Sequence, residues 1–219
     1  MYSLNEIEAM SKRAAHGANL DWGVAEETGK AIRWLSAHGL PGPEFLAALL
    51  KENEGKDHSE VAPVSINEVW QAKSGILSPL AAGAALSDLS GELATGHKFE
   101  LSTTTLPLLV IPYAAFASKL RHVAVEICWL ELTLIITPDG GLSIEGNKAA
   151  MTILSTDKIC CRAVTAESEA ETNTVLPLEM GREIDSESWD YLNAFAYRNY
   201  APSTTSSREG AGAGLVDND

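Results

Sequence analysis

Basic residues are scarce in this chain. Its 219 residues include 16 Lys and Arg against 30 Asp and Glu, which gives a formal net charge of -14 at pH 7. Proteins that bind nucleic acid or an anionic membrane surface without sequence preference need basic side chains to meet the phosphates. We therefore expect neither nucleic acid nor a membrane among the partners, and the charge itself favours solubility.

Long apolar runs are also missing. The longest, at residues 130–136, is interrupted by Glu131 and Thr133, whereas a membrane helix needs about 20 apolar residues. Residues 1–7 contain an acid and no apolar stretch, which does not fit a signal peptide.

Cysteine is rare, and the three present form an odd set without the spacing of a disulfide framework: Cys128, Cys160 and Cys161. A reducing cytoplasm is the simplest compartment for such a chain. Neighbouring side chains on a strand point to opposite faces, so one of Cys160 and Cys161 is expected in the core and the other half exposed. We expect no metal site, because the chain has no Cys-x-x-Cys motif and no pair of histidines at ligand spacing.

Recognised catalytic motifs are absent as well. There is no dinucleotide-binding Gly-x-Gly-x-x-Gly, no P-loop and no Gly-x-Ser-x-Gly nucleophile elbow. The five histidines are scattered along the chain, although a Ser-His-Asp triad assembled by folding is left open. The cofactor, the reaction and the presence of any enzymatic activity are therefore unknown from the sequence.

The first 55 residues predict a layer of three helices. Ser3 and Glu6 form a capping box ahead of a helix that ends near Gly17. Asp21 is the expected N-cap of the second helix, and the third begins near Pro43. Their connections are short, so the three helices are expected to pack on one another.

The next segment is less regular. Ser65 and Glu68 form a second capping box, which predicts a short helix through Trp70. Residues 74–98 are rich in Ala and Gly and do not determine a secondary structure, although a helix from about Pro79 is preferred.

From residue 99 the pattern changes to strands, of which residues 122–137 are the clearest. Apolar side chains alternate on one face up to Trp129 and on the other from Leu130 onwards. A bulge at this point would restore a single apolar face, and a strand buried on both sides is the alternative. Further strands are expected at 159–164 and 175–178.

Together these elements predict one α+β domain over residues 1–219. Its parts are a helical N-terminal layer (1–55), a mostly antiparallel sheet region (99–180), a closing C-terminal helix (185–200) and a Gly/Ser-rich tail (203–219) packed on the domain.

The tail is the most informative segment for function. Five hydroxyl residues at 203–207 precede Arg208, and alternating glycines follow it. Such glycines let backbone amides approach a ligand, and an arginine can bind a carboxylate or phosphate with two hydrogen bonds. The residues predicted to bind an anion here are Ser206, Ser207, Arg208, Gly210 and Gly212. The alternatives are a flexible tail and an Arg208 that is neutralised by acids within the tail.

A second candidate site lies at the start of the second helix. Trp22 and Glu26 are predicted to bind ligand, and together with His16 they would line the mouth of a pocket. The alternative is structural, because Glu26 and Glu27 lie in the first turns of a helix, where the helix dipole favours acids. A helix break separates His16 from Glu26, so the sequence does not determine whether they meet.

Both ends of the chain resemble a bacterial protein family known only as a domain of unknown function. The N-terminal resemblance rests on the patterns at residues 4–9, 14–17, 22–27 and 33–35, and the C-terminal one on residues 200–203, 207–208, 210–214 and 217–219. A match at both ends implies that the family covers the whole chain and that the tail is part of the domain. It implies no activity and no catalytic residues.

The leading hypothesis is that the protein binds, and in its stronger form converts, a small anionic metabolite in the cytoplasm. The alternative is a non-catalytic interaction or scaffold subunit whose C-terminal segment docks on its own domain or on a partner. A homo-oligomer is compatible with both.

Overall fold

The structure is a computed structural model that describes residues 1–164 and 178–200. The helices are α1 (Leu4–Gly17), α2 (Trp22–Ala37), α3 (Gly42–Glu52), α4 (His58–Val61), α5 (Pro79–Asp88), α6 (Ser90–Ala94), α7 (Ile111–Arg121) and α8 (Ser186–Tyr197). The strands are β1 (Tyr2–Ser3), β2 (Lys98–Leu101), β3 (Thr104–Thr105), β4 (Ala124–Trp129), β5 (Leu132–Ile136), β6 (Leu142–Gly146), β7 (Ser155–Thr156), β8 (Ile159–Val164) and β9 (Gly181–Arg182). Two 3-10 helices span Pro107–Val110 and Lys148–Thr152. N-terminal helices, an antiparallel sheet and a C-terminal helix confirm the predicted α+β class.

The predicted helical layer is confirmed, and its first helix begins as expected. The Glu6 amide donates to Ser3 Oγ at 3.3 Å, and the Ser3 amide donates to Glu6 Oε2 at 2.8 Å. Asp21 is the N-cap of α2, but its side chain makes no capping hydrogen bond. Helix α8 packs against α1 and α3, where it buries Leu192 and Phe195. The closing helix therefore completes the N-terminal layer.

The main sheet has five strands in the order β2-β8-β4-β5-β6, and all of its pairings are antiparallel. Strand β4 is central. Its residues Val125, Ile127 and Trp129 are buried on the face that packs against α7. The opposite face carries half-buried polar side chains such as Glu126 and Thr133.

The structure corrects the prediction of one strand at 122–137. Strands β4 and β5 form a hairpin that turns at Leu130 and Glu131, and Val125 pairs with Ile136. Leu130 is 72% exposed and has a left-handed backbone with φ of 50°. The chain reverses where the apolar pattern changes face, so neither the bulge nor the doubly buried strand is right.

A second correction concerns the capping box at Ser65 and Glu68, where no helix forms. The segment is instead held against the sheet edge, because the Trp70 amide donates to the Glu100 carbonyl at 2.8 Å and the Ser102 amide donates to the Trp70 carbonyl at 2.9 Å. The Trp70 ring is fully buried, with its centroid 5.1 Å from that of Phe99. Pairing with β2 and burial of the indole replace the helix.

The region predicted as sheet, 99–180, also contains a helix that the sequence pattern does not predict. The apolar run at 106–111 forms a 3-10 helix that leads into α7, with Pro112 in the first turn. The preferred helix from Pro79 is confirmed as α5. Most of the predicted strand at 175–178 and the whole tail at 203–219 lie outside the described residues.

Candidate functional site

A cavity of about 600 Å³ lies where α1, α3, α5 and α8 meet. Its floor is apolar and is formed by buried side chains: Leu49, Leu50, Val61, Leu80 and Phe195. Polar and charged residues of the α1–α2 turn and the α3–α4 loop form the rim. An apolar floor with a few polar groups is the usual composition of a small-molecule site, and cavities of about 300–1,000 Å³ are the usual size.

The N-caps of three helices line this cavity: Asp21 of α2, Asp57 of α4 and Ser78 of α5. Asp57 caps its own helix, accepting from the Ser59 amide at 2.8 Å. Asp21 and Ser78 make no side-chain capping bond. The first amides of α2, and those that follow Pro79 in α5, therefore lack a side-chain cap. Such helix N-termini carry partial positive charge that favours an anion.

Several charged residues on the rim already have polar partners. Arg198 donates to Glu54 Oε1 at 2.6 Å, and its guanidinium lies 4.1 Å from the centroid of the Phe195 ring. Hydrogen bonds from the Ser59 amide and hydroxyl hold the pKa of Asp57 below its usual value. Lys56 donates only to an amide oxygen, that of Asn53, at 3.3 Å. Lys56 is thus a rim cation whose described hydrogen bond is to a neutral group.

One wall of the cavity is the junction of the C-terminal ends of α1 and α8. Asn199 Nδ2 donates to the Arg13 carbonyl at 2.7 Å, and Asn199 Oδ1 hydrogen-bonds with Nδ1 of His16. Asn19, with a left-handed φ of 68°, ends the turn that carries the chain from α1 to α2. The two hydrogen bonds of Asn199 join the C-terminal half of α1 to the end of α8, next to Arg198.

The two predicted residues within the described chain lie beside the cavity and not in its lining. Trp22 is 59% exposed, its ring centroid lies 5.0 Å from that of His16, and Lys12 Nζ lies 4.9 Å from the Trp22 ring. Glu26 pairs with Lys30 at 2.9 Å, and the hydrogen bond from Lys30 lowers its pKa. The fold thus brings His16 and Trp22 together but directs Glu26 to Lys30. Their role in ligand binding stays a prediction.

The other five predicted residues lie outside the described chain: Ser206, Ser207, Arg208, Gly210 and Gly212. Their segment follows Tyr200, whose hydroxyl accepts from Arg13 Nη1 at 3.3 Å. Arg198 on the cavity rim is two residues earlier. The last residues before the tail that the structure describes therefore lie next to the cavity.

Sequence reasoning missed most of the rim: Asn53, Glu54, Lys56, Asp57, His58, Ser78 and Arg198. The signal available in the sequence is the density of polar residues after α3, which predicts a loop but not a site. Burial of Leu80 and Phe195 next to this loop depends on long-range packing and left no local pattern.

Within residues 1–164 and 178–200, no group of three or more His, Cys, Asp or Glu side chains is arranged to hold a metal ion. None of the helices in this same part of the chain is long and apolar enough to cross a membrane.

In comparison with known proteins, the N-terminal part is similar to one family. The family model described as "Protein of unknown function (DUF3726)" matches residues 2–75, which confirms the resemblance to a domain of unknown function and leaves the C-terminal part of it a prediction. A comparison with curated proteins finds no match. Among solved structures, a malate dehydrogenase from Entamoeba histolytica is similar with 11% identity and a TM-score of 0.46, over 77% of this chain and 50% of that one. The chain spans half the length of that protein.

Proposed function

We propose that this protein binds a small anionic metabolite in the cavity between α1, α3, α5 and α8. The observation that carries the proposal is the convergence of helix N-caps on one cavity, two of them, Asp21 and Ser78, without a side-chain capping bond. Partial positive charge from the first turns of α2 and α5 would stabilise a carboxylate or phosphate.

The rest of the cavity suits the other end of such a ligand. Leu49, Leu80 and Phe195 offer apolar surface, so the ligand would carry a short apolar portion beside its anionic group. Lys56 is the rim cation that would approach the anion. The carboxylate of Asp21 would repel the same anion. The scarcity of cysteine and the three free thiols support the cytoplasm as the place of action.

The tail would add the second cation. Arg208 follows Tyr200 by eight residues, and an extended chain of that length spans up to about 28 Å, enough to reach across the cavity. In this proposal Arg208 binds the anion with its planar guanidinium, with Ser206, Ser207 and the amides of Gly210 and Gly212 beside it.

The experiment is a thermal-shift measurement on the full chain against inorganic phosphate and a panel of mono- and dicarboxylates. A ligand that binds the folded protein raises the melting temperature by mass action, with about 2.7 kcal/mol gained at a hundredfold excess over Kd. Lys56→Glu should weaken the response to the best anion, and Asp21→Asn should strengthen it roughly twofold to fivefold in Kd. Lys119→Glu, an equal charge change on α7 and away from the cavity, is the matched control.

The proposal fails if no anion of the panel stabilises the protein, or if Lys56→Glu and Lys119→Glu alter the response equally. Arg208→Lys separates the two roles of the arginine. Loss of ligand response with unchanged stability identifies a ligand clamp, whereas lower stability without ligand identifies a structural ion pair within the tail.

The second candidate function is a non-catalytic interaction or scaffold subunit. Four apolar side chains between α4 and α5 are at least 40% exposed, which favours a surface for another protein: Val64, Ile66, Val69 and Ile76. In the tail-docking form of this candidate, the segment beyond Pro202 occupies the cavity itself. Deletion of residues 203–219 should then increase the response to anions, whereas it should decrease the response if Arg208 is a clamp.

A further inference from the structure

Two of the three cysteines face each other across the centre of the sheet. In the β4–β8 pairing, Cys128 is directly opposite Cys160. Paired residues of antiparallel strands project to the same face, and their Cα atoms lie about 4.5 or 5.5 Å apart. Both values fall within the range of about 4.4–6.8 Å that a disulfide spans. The backbone therefore places the two Cα atoms at a separation that a disulfide can span.

Both thiols lie on the face of the sheet that is only half covered. The row that crosses this face runs from Glu100 through Cys160 and Cys128 to Thr133. A small oxidant can reach the pair there. Cys161, the neighbour of Cys160, is buried on the opposite face against Ile127.

Three cations, each paired with a glutamate, lie around Cys160. Glu100, its partner on β2, holds the ammonium groups of Lys98 and Lys158 at 2.7 Å each. Both lysines interact electrostatically with Cys160, and so does Arg162. These cations surround the partly exposed sulfur of Cys160 on the open face of the sheet.

The surroundings of Cys128 and Cys161 disfavour their thiolate forms. Burial, followed by the nearby negative charges of Cys160 and Glu126, raises the pKa of Cys128. Burial also raises the pKa of Cys161 well above its usual range. Cys128 is therefore suited to react second, and Cys161 has no accessible thiolate.

We propose that Cys128 and Cys160 form a reversible redox site, which a hydroperoxide oxidises to a cross-strand disulfide between β4 and β8. The Cys160 thiolate attacks one oxygen of the peroxide, so that an S–O bond forms, the O–O bond breaks and hydroxide leaves as water after protonation. Cys128 then attacks the sulfur of the sulfenic acid, and the second oxygen leaves as water. In sum, two thiols and one hydrogen peroxide give one disulfide and two waters, and an external dithiol reverses the reaction.

The test uses the full-length, fully reduced protein treated with graded hydrogen peroxide, then alkylated under denaturing conditions. Free thiols should fall from three to one, with a mass lower by about 2 Da before alkylation. Trypsin cleaves after Arg121, Lys148, Lys158 and Arg162. The non-reduced digest should contain peptide 122–148 joined to peptide 159–162, and dithiothreitol should separate them.

Variants establish which thiols react and in what order. Cys161→Ala should keep the cross-link, which shows that peptide 159–162 is joined through Cys160. Cys128→Ser should accumulate a sulfenic acid on Cys160 that dimedone traps. Cys160→Ser should lower the rate of peroxide consumption at least tenfold, because Cys128 is left without the attacking partner.

The inference is overturned by any of three results, two on the wild-type chain and one on the Cys161→Ala variant. One is an internal disulfide within peptide 159–162, which would join the adjacent Cys160 and Cys161. Another is loss of the cross-link in Cys161→Ala. The third is retention of all three thiols at peroxide concentrations that fully oxidise a small dithiol such as dithiothreitol.

Discussion

Gly17 at the end of α1 lies directly against the backbone of Phe195 in α8. A Cβ atom at position 17 would come within 1.8 Å of the Phe195 carbonyl oxygen and 2.7 Å of its carbonyl carbon. Only glycine permits this approach, because backbone atoms cannot move aside as a flexible side chain can. Since both residues line the cavity, the contact connects helix packing to the shape of the candidate site.

Gly17→Ala should therefore destabilise the protein by about 1–3 kcal/mol, the usual cost of overpacking a tight interface. Chemical denaturation measures this free energy. Gly23→Ala is the matched control, because a Cβ there meets nothing within 4 Å. It lies in the first turns of α2 and should be neutral or stabilising by up to about 1 kcal/mol. Equal effects of the two variants would contradict the close packing of α1 on α8.

Trp129→Ala should cost roughly 3–5 kcal/mol of unfolding free energy, because it removes a large ring from the core. Trp129 is 2% exposed, and its indole N–H donates to the Ala150 carbonyl at 2.8 Å. Trp22→Ala is the control, since that ring is 59% exposed, and its loss should change stability by less than about 1 kcal/mol. A Trp129→Ala protein with near wild-type stability would show that β4 is not the core of the sheet.

Glu100, on the outer face of the sheet, should make the stability of the protein decrease at acid pH. Hydrogen bonds from Lys158 and then from Lys98 lower its pKa to about 2, from 4.5. A carboxyl with a depressed folded-state pKa contributes stability above the unfolded pKa and loses it as the pH falls towards the folded one. Glu100→Gln should thus flatten the decline in stability between pH 4.5 and about 2, an effect that high salt reduces.

Denaturant titration of the wild-type and Glu100→Gln proteins across this pH window tests the predicted change in stability. Glu68→Gln serves as the control, because Glu68 is exposed and makes no ion pair among the described residues. If both glutamine variants follow the wild-type pH profile, Glu100 and its two lysines do not form a stabilising cluster in solution.

Deletion of residues 203–219 tests whether the tail packs on the domain and stabilises it. Leu215 and Val216 are the apolar residues that the sequence predicts to anchor it, and burial of both would contribute on the order of 3 kcal/mol. The truncated chain should then melt several degrees lower than the full chain in a calorimetric scan. An unchanged melting curve, together with rapid amide exchange throughout the tail of the full chain, would contradict this prediction.

Two capping boxes in this chain show how far secondary structure can be predicted from local sequence. Ser3 and Glu6 begin a helix as predicted, whereas Ser65 and Glu68 do not. The difference lies in Trp70, whose backbone bonds to β2 and whose ring is fully buried. A capping box contributes about 1 kcal/mol, which burial of an indole and two strand-type hydrogen bonds readily exceed.

The sequence predicted that residues 122–137 form sheet, but not that they divide into two strands. The alternation of apolar residues identified 122–137 as sheet, and the change of face at Trp129 was visible in the sequence. A hairpin turn at Leu130 needs a left-handed backbone that leucine rarely adopts. The sequence therefore contains no typical turn residue at this position that would predict the hairpin. The pairing of β4 with β5, in which Trp129 lies opposite Leu132, closes this turn.

The sequence by itself determined the elements whose signals are local: the capped helix α1, the amphipathic helices α2, α3 and α8, the α+β class and the acidic surface. Tertiary structure alone decided that Asp21, Asp57 and Ser78 meet at one cavity and that Cys128 lies opposite Cys160. The reason is physical. Helix caps and apolar periodicity act over a few residues, whereas convergence of distant segments depends on which buried surfaces fit together, and that information is spread over the whole core.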